Sequence, residues 1–218
     1  MRTSRKQNGN WDDSRQPPDV TGCGVLDRSL GLEDGDVGDR TEGEGRSGVQ
    51  AFPAGPPLTS ARLDLEPLRV EHAEEMSPLL NDPALHVFIG GEPASLADLR
   101  EQYRRQAVGR SADGSQRWLN WVARRREDGR VVGTVQATLT LKDETLVAEI
   151  AWVLATPHQS QGYAREAAGV AVAWLRGQRV SRLVAHIHPD HRASKAVARA
   201  IGLTPTTTVV DGETRWQS

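Results

Sequence analysis

Residues 149–175, EIAWVLATPHQSQGYAREAAGVAVAWL, contain the pattern that most restricts how this chain can fold. An apolar strand pattern ends near Leu154, a short loop follows, and residues 159–164 (QSQGYA) open a long helical pattern. The first N–H groups of a helix have no partner within it and lie at the positive end of its dipole. The segment therefore predicts a site for an anion, most simply a phosphate, although an ordinary connection with an incidental glycine has the same pattern.

The rest of residues 60–218 alternates between strand and helix patterns. A helix at 95–109 is expected to begin after Ser95 as N-cap and to stop at Gly109. The Asp128-Gly129 pair predicts a hairpin between its flanking strands. The predicted order is β-α-α-β-β-β-α-β-α-β, an α/β domain with a mixed sheet that is antiparallel in the middle. Its elements are expected at 61–68, 69–82, 95–109, 117–125, 131–140, 145–155, 162–176, 182–188, 191–201 and 204–210.

The N-terminal part of the chain differs in composition. Its first 60 residues contain ten Gly, five Pro, ten acidic and seven basic residues, with no sustained apolar periodicity. Such a segment cannot bury enough apolar surface to offset its chain entropy. We therefore expect residues 1–59 to form a disordered tail and residues 60–218 to form one domain. A partner-binding tail and a misassigned start codon remain alternatives.

Residues 159–164 resemble the Gln/Arg-x-x-Gly-x-Gly/Ala motif of the GNAT superfamily of acetyl-coenzyme-A-dependent N-acyltransferases. Further stretches are similar to the family's first strand and helix, its central hairpin strand and its final helix: LDLEPLRVEHAEEMSPLLND, GRVVGTVQATL with Gly133, and HPDHRASKAVARAIGLTP. AEIAWVL is similar to a strand of the ribosomal-protein N-terminal acetyltransferase subgroup. The resemblance covers about residues 60–216. It implies the GNAT fold and transfer of an acetyl group from acetyl-CoA to a primary amine, on a protein N-terminus or a small molecule.

The resemblance also implies where acetyl-CoA binds. In that family the motif loop holds the cofactor pyrophosphate, and the preceding strand lies along the pantetheine arm. His191 stands where the family usually has asparagine. The implied cofactor-binding residues are Trp152, Val153, Leu154, Gln159, Ser160, Gln161, Gly162, Tyr163, Ala164, Arg165 and His191. Arg165, Arg192, Lys195 and Arg199 give this side a basic edge, although a solvated helix face explains Arg199 equally simply.

Two residues are candidates for catalysis. Glu149 occupies the family's glutamate position and would accept the amine proton, or it has a structural or substrate-orienting role. Ser194 matches a family serine and would protonate the leaving sulfur, or it only hydrogen-bonds at the helix start. A backbone N–H of residues 152–154 would stabilise the oxyanion. Ala198 stands where many family members have a tyrosine that acts as general acid. Because that tyrosine is missing, a non-catalytic acyl-CoA-binding module is the alternative.

HIHPDH, residues 186–191, resembles the His-x-His-x-Asp-His metal signature of the metallo-β-lactamase superfamily. That superfamily needs a further histidine downstream, and His191 is the last in this chain. Too few other ligands follow to complete two metal sites. We therefore expect no metal, and interpret the stretch as the end of a strand and the start of the final helix.

Composition gives only broad limits on location and partners. The net charge of -2 gives no indication of nucleic-acid or membrane binding. Cys23 is the one cysteine, so an internal disulfide framework is excluded. The N-terminus lacks the apolar run of a signal peptide, and no apolar stretch is long enough for a membrane span. We expect a cytoplasmic protein, and the family resemblance allows a homodimer.

Overall fold

A computed structural model describes residues 55–218, which form a mixed sheet with helices on both faces. The predicted fold is confirmed. The sheet order is β1-β2-β3-β4-β5-β6-β8-β7. The strands are β1 (Leu58–Thr59), β2 (Leu63–Pro67), β3 (Gln116–Arg125), β4 (Val131–Lys142), β5 (Thr145–Leu154), β6 (Arg182–Ile187), β7 (Thr204–Val210) and β8 (Glu213–Gln217).

Five α-helices lie in the described part of the chain, and a 3₁₀ turn, Thr156–His158, follows β5. Ser95 caps its helix as predicted, because its hydroxyl accepts a hydrogen bond from the Asp98 N–H. Within residues 55–218, no helix has the length and apolar character needed to span a membrane. The helices are α1 (His72–Leu80), α2 (Pro83–Ile89), α3 (Leu96–Ala107), α4 (Tyr163–Gly177) and α5 (Arg192–Ala200).

Three elements were not predicted from the sequence: β1, α2 and β8. Pro83 lies beyond the end of α1, as expected, but it also begins α2, where its missing N–H costs nothing. Asp82 caps α2 by accepting a hydrogen bond from the Ala84 N–H. In β8 only Trp216 is buried, so its sequence lacks a clear strand pattern. The missed helix matters because α2 forms part of the main cavity.

The boundary expected after residue 59 also needs correction. β1 pairs with β2, and the indole Nε1 of Trp121 donates a hydrogen bond to the Pro56 carbonyl at 2.8 Å. Residues 55–59 therefore belong to the folded domain, although their composition is that of the tail. The disorder predicted for residues 1–54 lies outside the described residues.

Apolar side chains cover both faces of the sheet. One buried cluster joins α4 and α5 to the sheet through residues such as Leu175 and Ala198. The other joins α1, α2 and α3 to the opposite face through residues such as Met76 and Leu99. The sheet is therefore fixed between two helical layers.

The sheet opens between its two parallel strands. β5 and β6 pair through Val147–Glu149 and Arg182–Val184, whereas the other neighbouring strands are antiparallel. β5 continues to Leu154 and β6 to Ile187, beyond the last registered pair. The two strands thus separate towards their C-terminal ends, beside the start of α4.

Candidate active site

The main cavity has a volume of about 450 Å³. Its wall is built by α2, the end of β5, the loop before α4, the first turn of α4 and one side of α5. Eleven of the thirteen residues predicted for the site line it: Trp152, Val153, Leu154, Gln159, Ser160, Gly162, Tyr163, Ala164, Arg165, His191 and Ser194. The sequence motifs thus identify one continuous cavity, and Gln161 and Glu149 lie outside its wall.

The N-terminus of α4 faces this cavity without a side-chain cap. Gly162 is the N-cap residue, with φ 81, a left-handed conformation that glycine adopts without strain. No side chain accepts a hydrogen bond from the first turn. The first helical N–H groups and the helix dipole therefore provide donors and partial positive charge, and Arg165 adds a full charge to the wall.

Two glutamine side chains fix the loop before α4. The Gln159 amide donates to the Leu154 carbonyl at 3.0 Å, and the Gln161 amide donates to the Pro157 carbonyl at 3.0 Å. Gln161 was expected to contact the cofactor, but it lies outside the cavity wall. Its backbone carbonyl accepts a hydrogen bond from Arg62. The glutamines therefore shape the loop, and the backbone of residues 162–164 faces the cavity.

A contact that sequence reasoning missed attaches the same loop to the start of the domain. The Glu166 carboxylate accepts hydrogen bonds from the Ser60 hydroxyl at 2.8 Å and from the Arg62 backbone N–H and Nε, both at 2.7 Å. Burial alone raises the pKa of Glu166, but these hydrogen bonds and the Arg62 charge outweigh burial and hold the pKa below its ordinary value. No local sequence signal links residues 104 positions apart.

Helix α2 supplies a second part of the site that the sequence did not predict. Ala84, Leu85, Phe88 and Ile89 line the cavity. The Phe88 ring stacks on His191 with ring centroids 4.2 Å apart. Burial lowers the pKa of His191, and the neighbouring His188 lowers it further. The neutral imidazole is therefore favoured at the start of α5.

The histidines of HIHPDH contact three different neighbours. His186 Nδ1 lies 2.9 Å from Glu149 Oε1, His188 Nδ1 accepts a hydrogen bond from the Asp190 N–H, and His191 stacks on Phe88. Among residues 55–218, no group of three or more His, Cys, Asp or Glu side chains is positioned to hold a metal ion. The stretch is the end of β6 and the start of α5.

A second, smaller cavity of about 40 Å³ lies in the opening between β5 and β6. It shares wall residues with the main cavity: Phe88, Ile89, Trp152, His191 and Ser194. His186 and Glu213 also line it, whereas Glu149 does not. The two cavities therefore meet where the strands separate, and Glu149 reaches this junction through its hydrogen bond with His186.

Helix α5 has one side in the core and another at the main cavity. Ala198 is fully buried in the cluster between α5 and the sheet, so it faces away from both cavities. The side chains that α5 presents to the main cavity include Ser194 and Val197.

Only part of the predicted basic edge faces the cavity. Arg165 lines it, whereas Lys195 Nζ donates to the Pro189 carbonyl. The Arg199 guanidinium lies 5.2 Å from the centre of the Trp216 ring, so it packs on the domain.

The fold is thus a mixed sheet that opens between two parallel strands, with an uncapped helix N-terminus beside the opening. The acetyltransferase (GNAT) domain profile matches residues 62–204. The chain belongs to the GNAT acetyltransferase family and is an acyltransferase. No curated protein sequence matches it significantly.

Solved acetyltransferase structures share this fold. An acetyltransferase from Agrobacterium tumefaciens matches with a TM-score of 0.58 and 22% identity, over 80% of this chain and 99% of the other. The Salmonella typhimurium acetyltransferase that modifies the N-terminal serine of ribosomal protein L7/L12 has a TM-score of 0.58 and 17% identity, over 73% and 95%. The microcin C7 self-immunity acetyltransferase, solved with acetyl-CoA and AMP, has a TM-score of 0.61 and 14% identity, over 73% and 93%.

Proposed function

We propose that this chain transfers the acetyl group of acetyl-CoA to a primary amine, on a protein N-terminus or on a small molecule. The observation that carries the proposal is the junction of the two cavities. The larger cavity begins at the uncapped N-terminus of α4, and the smaller one lies at the opening between β5 and β6. A long cofactor with phosphates at one end and a thioester at the other matches this arrangement.

The wall of the main cavity fits acetyl-CoA chemically. The pyrophosphate would lie at the first turn of α4, where Gly162 and Ala164 leave space near the backbone N–H groups and Arg165 supplies a positive charge. The pantetheine arm would lie along Trp152–Leu154 and against the apolar side of α2. The pyrophosphate and the pantetheine arm would thus each meet groups of matching polarity.

The chain's own groups are suited to acetyl transfer at the junction. A backbone N–H of residues 152–154 would donate to the thioester oxygen as negative charge develops there. Ser194 lines both cavities and would donate a proton to the leaving sulfur. Phe88, Ile89 and Trp152 would limit the access of water to the reacting atoms. Acetyl-CoA would supply the activated acyl group.

The amine acceptor would approach from the face of the sheet that carries Glu149 and His186. The Salmonella relative modifies a protein N-terminus, which supports peptides among the candidate acceptors. The non-catalytic alternative, based on the missing tyrosine at Ala198, predicts binding of acetyl-CoA without release of its thiol.

The test uses the full 218-residue chain with acetyl-CoA and a panel of amines: N-terminal peptides, amino acids, polyamines and aminoglycosides. We expect thiol release that depends on one class of amine, with the acetylated amine identified by mass spectrometry. Binding of acetyl-CoA without thiol release across the panel would contradict catalysis and favour the non-catalytic module. Catalysis that requires added zinc and is abolished by EDTA would contradict the expected metal-free site.

A further inference from the structure

We propose that His186 is the general base of this acetyl transfer, and that Glu149 is the positioning residue that orients it. The inference rests on the proposed function and reverses the role expected for Glu149 from the family position. It is carried by the hydrogen bond between the two side chains and by their different positions relative to the cavity junction.

The hydrogen bond fixes which imidazole nitrogen can accept a proton. His186 Nδ1 lies 2.9 Å from Glu149 Oε1. A carboxylate is only an acceptor, so the hydrogen between the two atoms belongs to Nδ1. In the neutral ring the lone pair then resides on Nε2, on the far side of the imidazole from Glu149. A carboxylate that orients a histidine base in this way is a recurring arrangement in acyl-transfer enzymes.

The fold places His186, and not Glu149, at the junction. Registered pairing of β5 with β6 ends at Glu149 and Val184, so His186 lies in the stretch where the strands separate. His186 lines the smaller cavity, together with the residues that this cavity shares with the main one. The His186 side chain is 12% exposed and that of Glu149 is 40% exposed, so the imidazole is better shielded from water. Of these two side chains, only His186 therefore lies where it can contact an amine at the cavity junction.

The step balances without any further reactant. The nitrogen of a neutral primary amine attacks the thioester carbonyl carbon and forms the C–N bond, while its proton passes to His186 Nε2. The C–S bond breaks, and its electron pair leaves with sulfur. Sulfur takes a proton from Ser194 or water; the donor regains a proton from the solvent, and His186 returns its own proton there. The products are an N-acetyl amide and coenzyme A thiol.

The kinetic test compares wild type with His186→Ala, His186→Gln and Glu149→Gln, using the amine identified by the panel. Glu144→Gln, in the exposed turn between β4 and β5, controls for loss of an acidic side chain. We expect kcat to fall by about 10²- to 10⁴-fold in both His186 variants, with acetyl-CoA affinity retained. Glu149→Gln should lose less, about tenfold, because the imidazole remains but is no longer held in one orientation.

Two further readouts separate a base from a structural histidine. Imidazole added to His186→Ala should restore part of kcat, and the acidic limb of the kcat/KM profile should be weaker in that variant than in wild type. His188, His191 and Glu213 also line this cavity, and Arg215 lies opposite His186 in the β6–β8 register, so their contributions remain in both profiles. Unchanged kcat in the His186 variants, or no response to imidazole, overturns the proposal.

A measurement on the wild-type chain covers the case in which the alanine variant fails to fold. Long-range ¹H–¹⁵N spectra of the histidines should show His186 with hydrogen on Nδ1 and a free Nε2, and Glu149→Gln should disturb this resonance. Hydrogen on Nε2 would overturn the proposal. If wild type binds acetyl-CoA but acetylates no amine, the proposed function itself fails and the proposal fails with it.

Discussion

Among single residues, Gly162 has the strictest conformational requirement at the main cavity. Its φ of 81 lies in the left-handed region, where a Cβ adds roughly 1–2 kcal/mol of strain. This conformation directs the first turn of α4 at the cavity. If a Cβ at position 162 forced the backbone to relax, the N–H donors of that turn would move. Glycine is required here for geometry, and the sequence motif indicates the same position.

Gly162→Ala is therefore expected to weaken acetyl-CoA binding about tenfold, the equivalent of about 1.4 kcal/mol. Gly169→Ala is the matched control, because Gly169 lies within α4 and a Cβ there meets no atom within 4 Å. The control should keep full affinity and gain about 0.5–1 kcal/mol of stability. Isothermal calorimetry and thermal unfolding measure both effects. Equal affinity in the two variants would show that the first turn of α4 does not bind the cofactor.

The Phe88–His191 contact gives a second prediction for single side chains. Phe88→Ala should hydrate His191, so the His191 pKa should rise towards its ordinary value because burial is the main cause of its lowered pKa. Val87→Ala is the control, since the neighbouring Val87 side chain is 70% exposed. An NMR titration of the histidines measures the change. A His191 pKa that stays unchanged in Phe88→Ala would mean that the ring does not shield it.

At the level of elements, the contact between the start of β2 and the first turn of α4 holds the motif loop in place. The Arg62 guanidinium donates hydrogen bonds to the Gln161 backbone carbonyl in the loop and to the Glu166 carboxylate in α4. Because the Glu166 pKa is depressed in the folded state, its carboxylate stabilises the fold above the ordinary value of 4.5. This stabilisation is lost when the pH falls below 4.5 and through the lower pKa that Glu166 has in the folded protein.

Glu166→Gln should lower the free energy of unfolding at pH 7 by about 1 kcal/mol, because Arg62 is half-exposed and the ion pair is partly screened. The difference from wild type should shrink below about pH 4.5, where the wild-type carboxylate itself takes up a proton. Urea unfolding at several pH values measures it, with Glu127→Gln in an exposed turn as control. A difference that persists unchanged into acid would exclude the charge as its cause.

For the whole molecule, the start of the domain can be located by truncation. A chain that begins at Gly55 keeps β1 and the Pro56 carbonyl, which accepts the hydrogen bond from the buried Trp121 Nε1–H. A chain that begins at Ser60 lacks both. We expect the shorter chain to lose about 1–3 kcal/mol of stability, the cost of an unsatisfied buried donor. Chemical unfolding of the two proteins measures the difference, and equal stabilities would place residues 55–59 outside the folding unit.

The sequence predicted those parts of the fold that depend on local patterns. Ser95, the Asp128-Gly129 turn and the loop around Gly162 have local signals, and each lies where it was expected. Residues that act through distant partners have no such signal. The Arg62–Glu166 contact joins residues 104 positions apart, and Phe88 meets His191 only after α2 packs on the sheet.

The same limit applies to the catalytic residues. Glu149 was identified by its position in a family strand, yet its hydrogen bond with His186 depends on the pairing of β5 with β6. His186 was interpreted only as part of HIHPDH. Its place beside the cavity junction follows from the separation of two strands, which no pattern within either strand encodes.

The separation of β5 and β6 also leaves the two halves of the sheet joined by few backbone pairs. β4 and β5 share ten registered residue pairs, whereas β5 and β6 share three. Thermal fluctuations should therefore concentrate along this seam, and amide hydrogens there should exchange faster than those in the centre of either half.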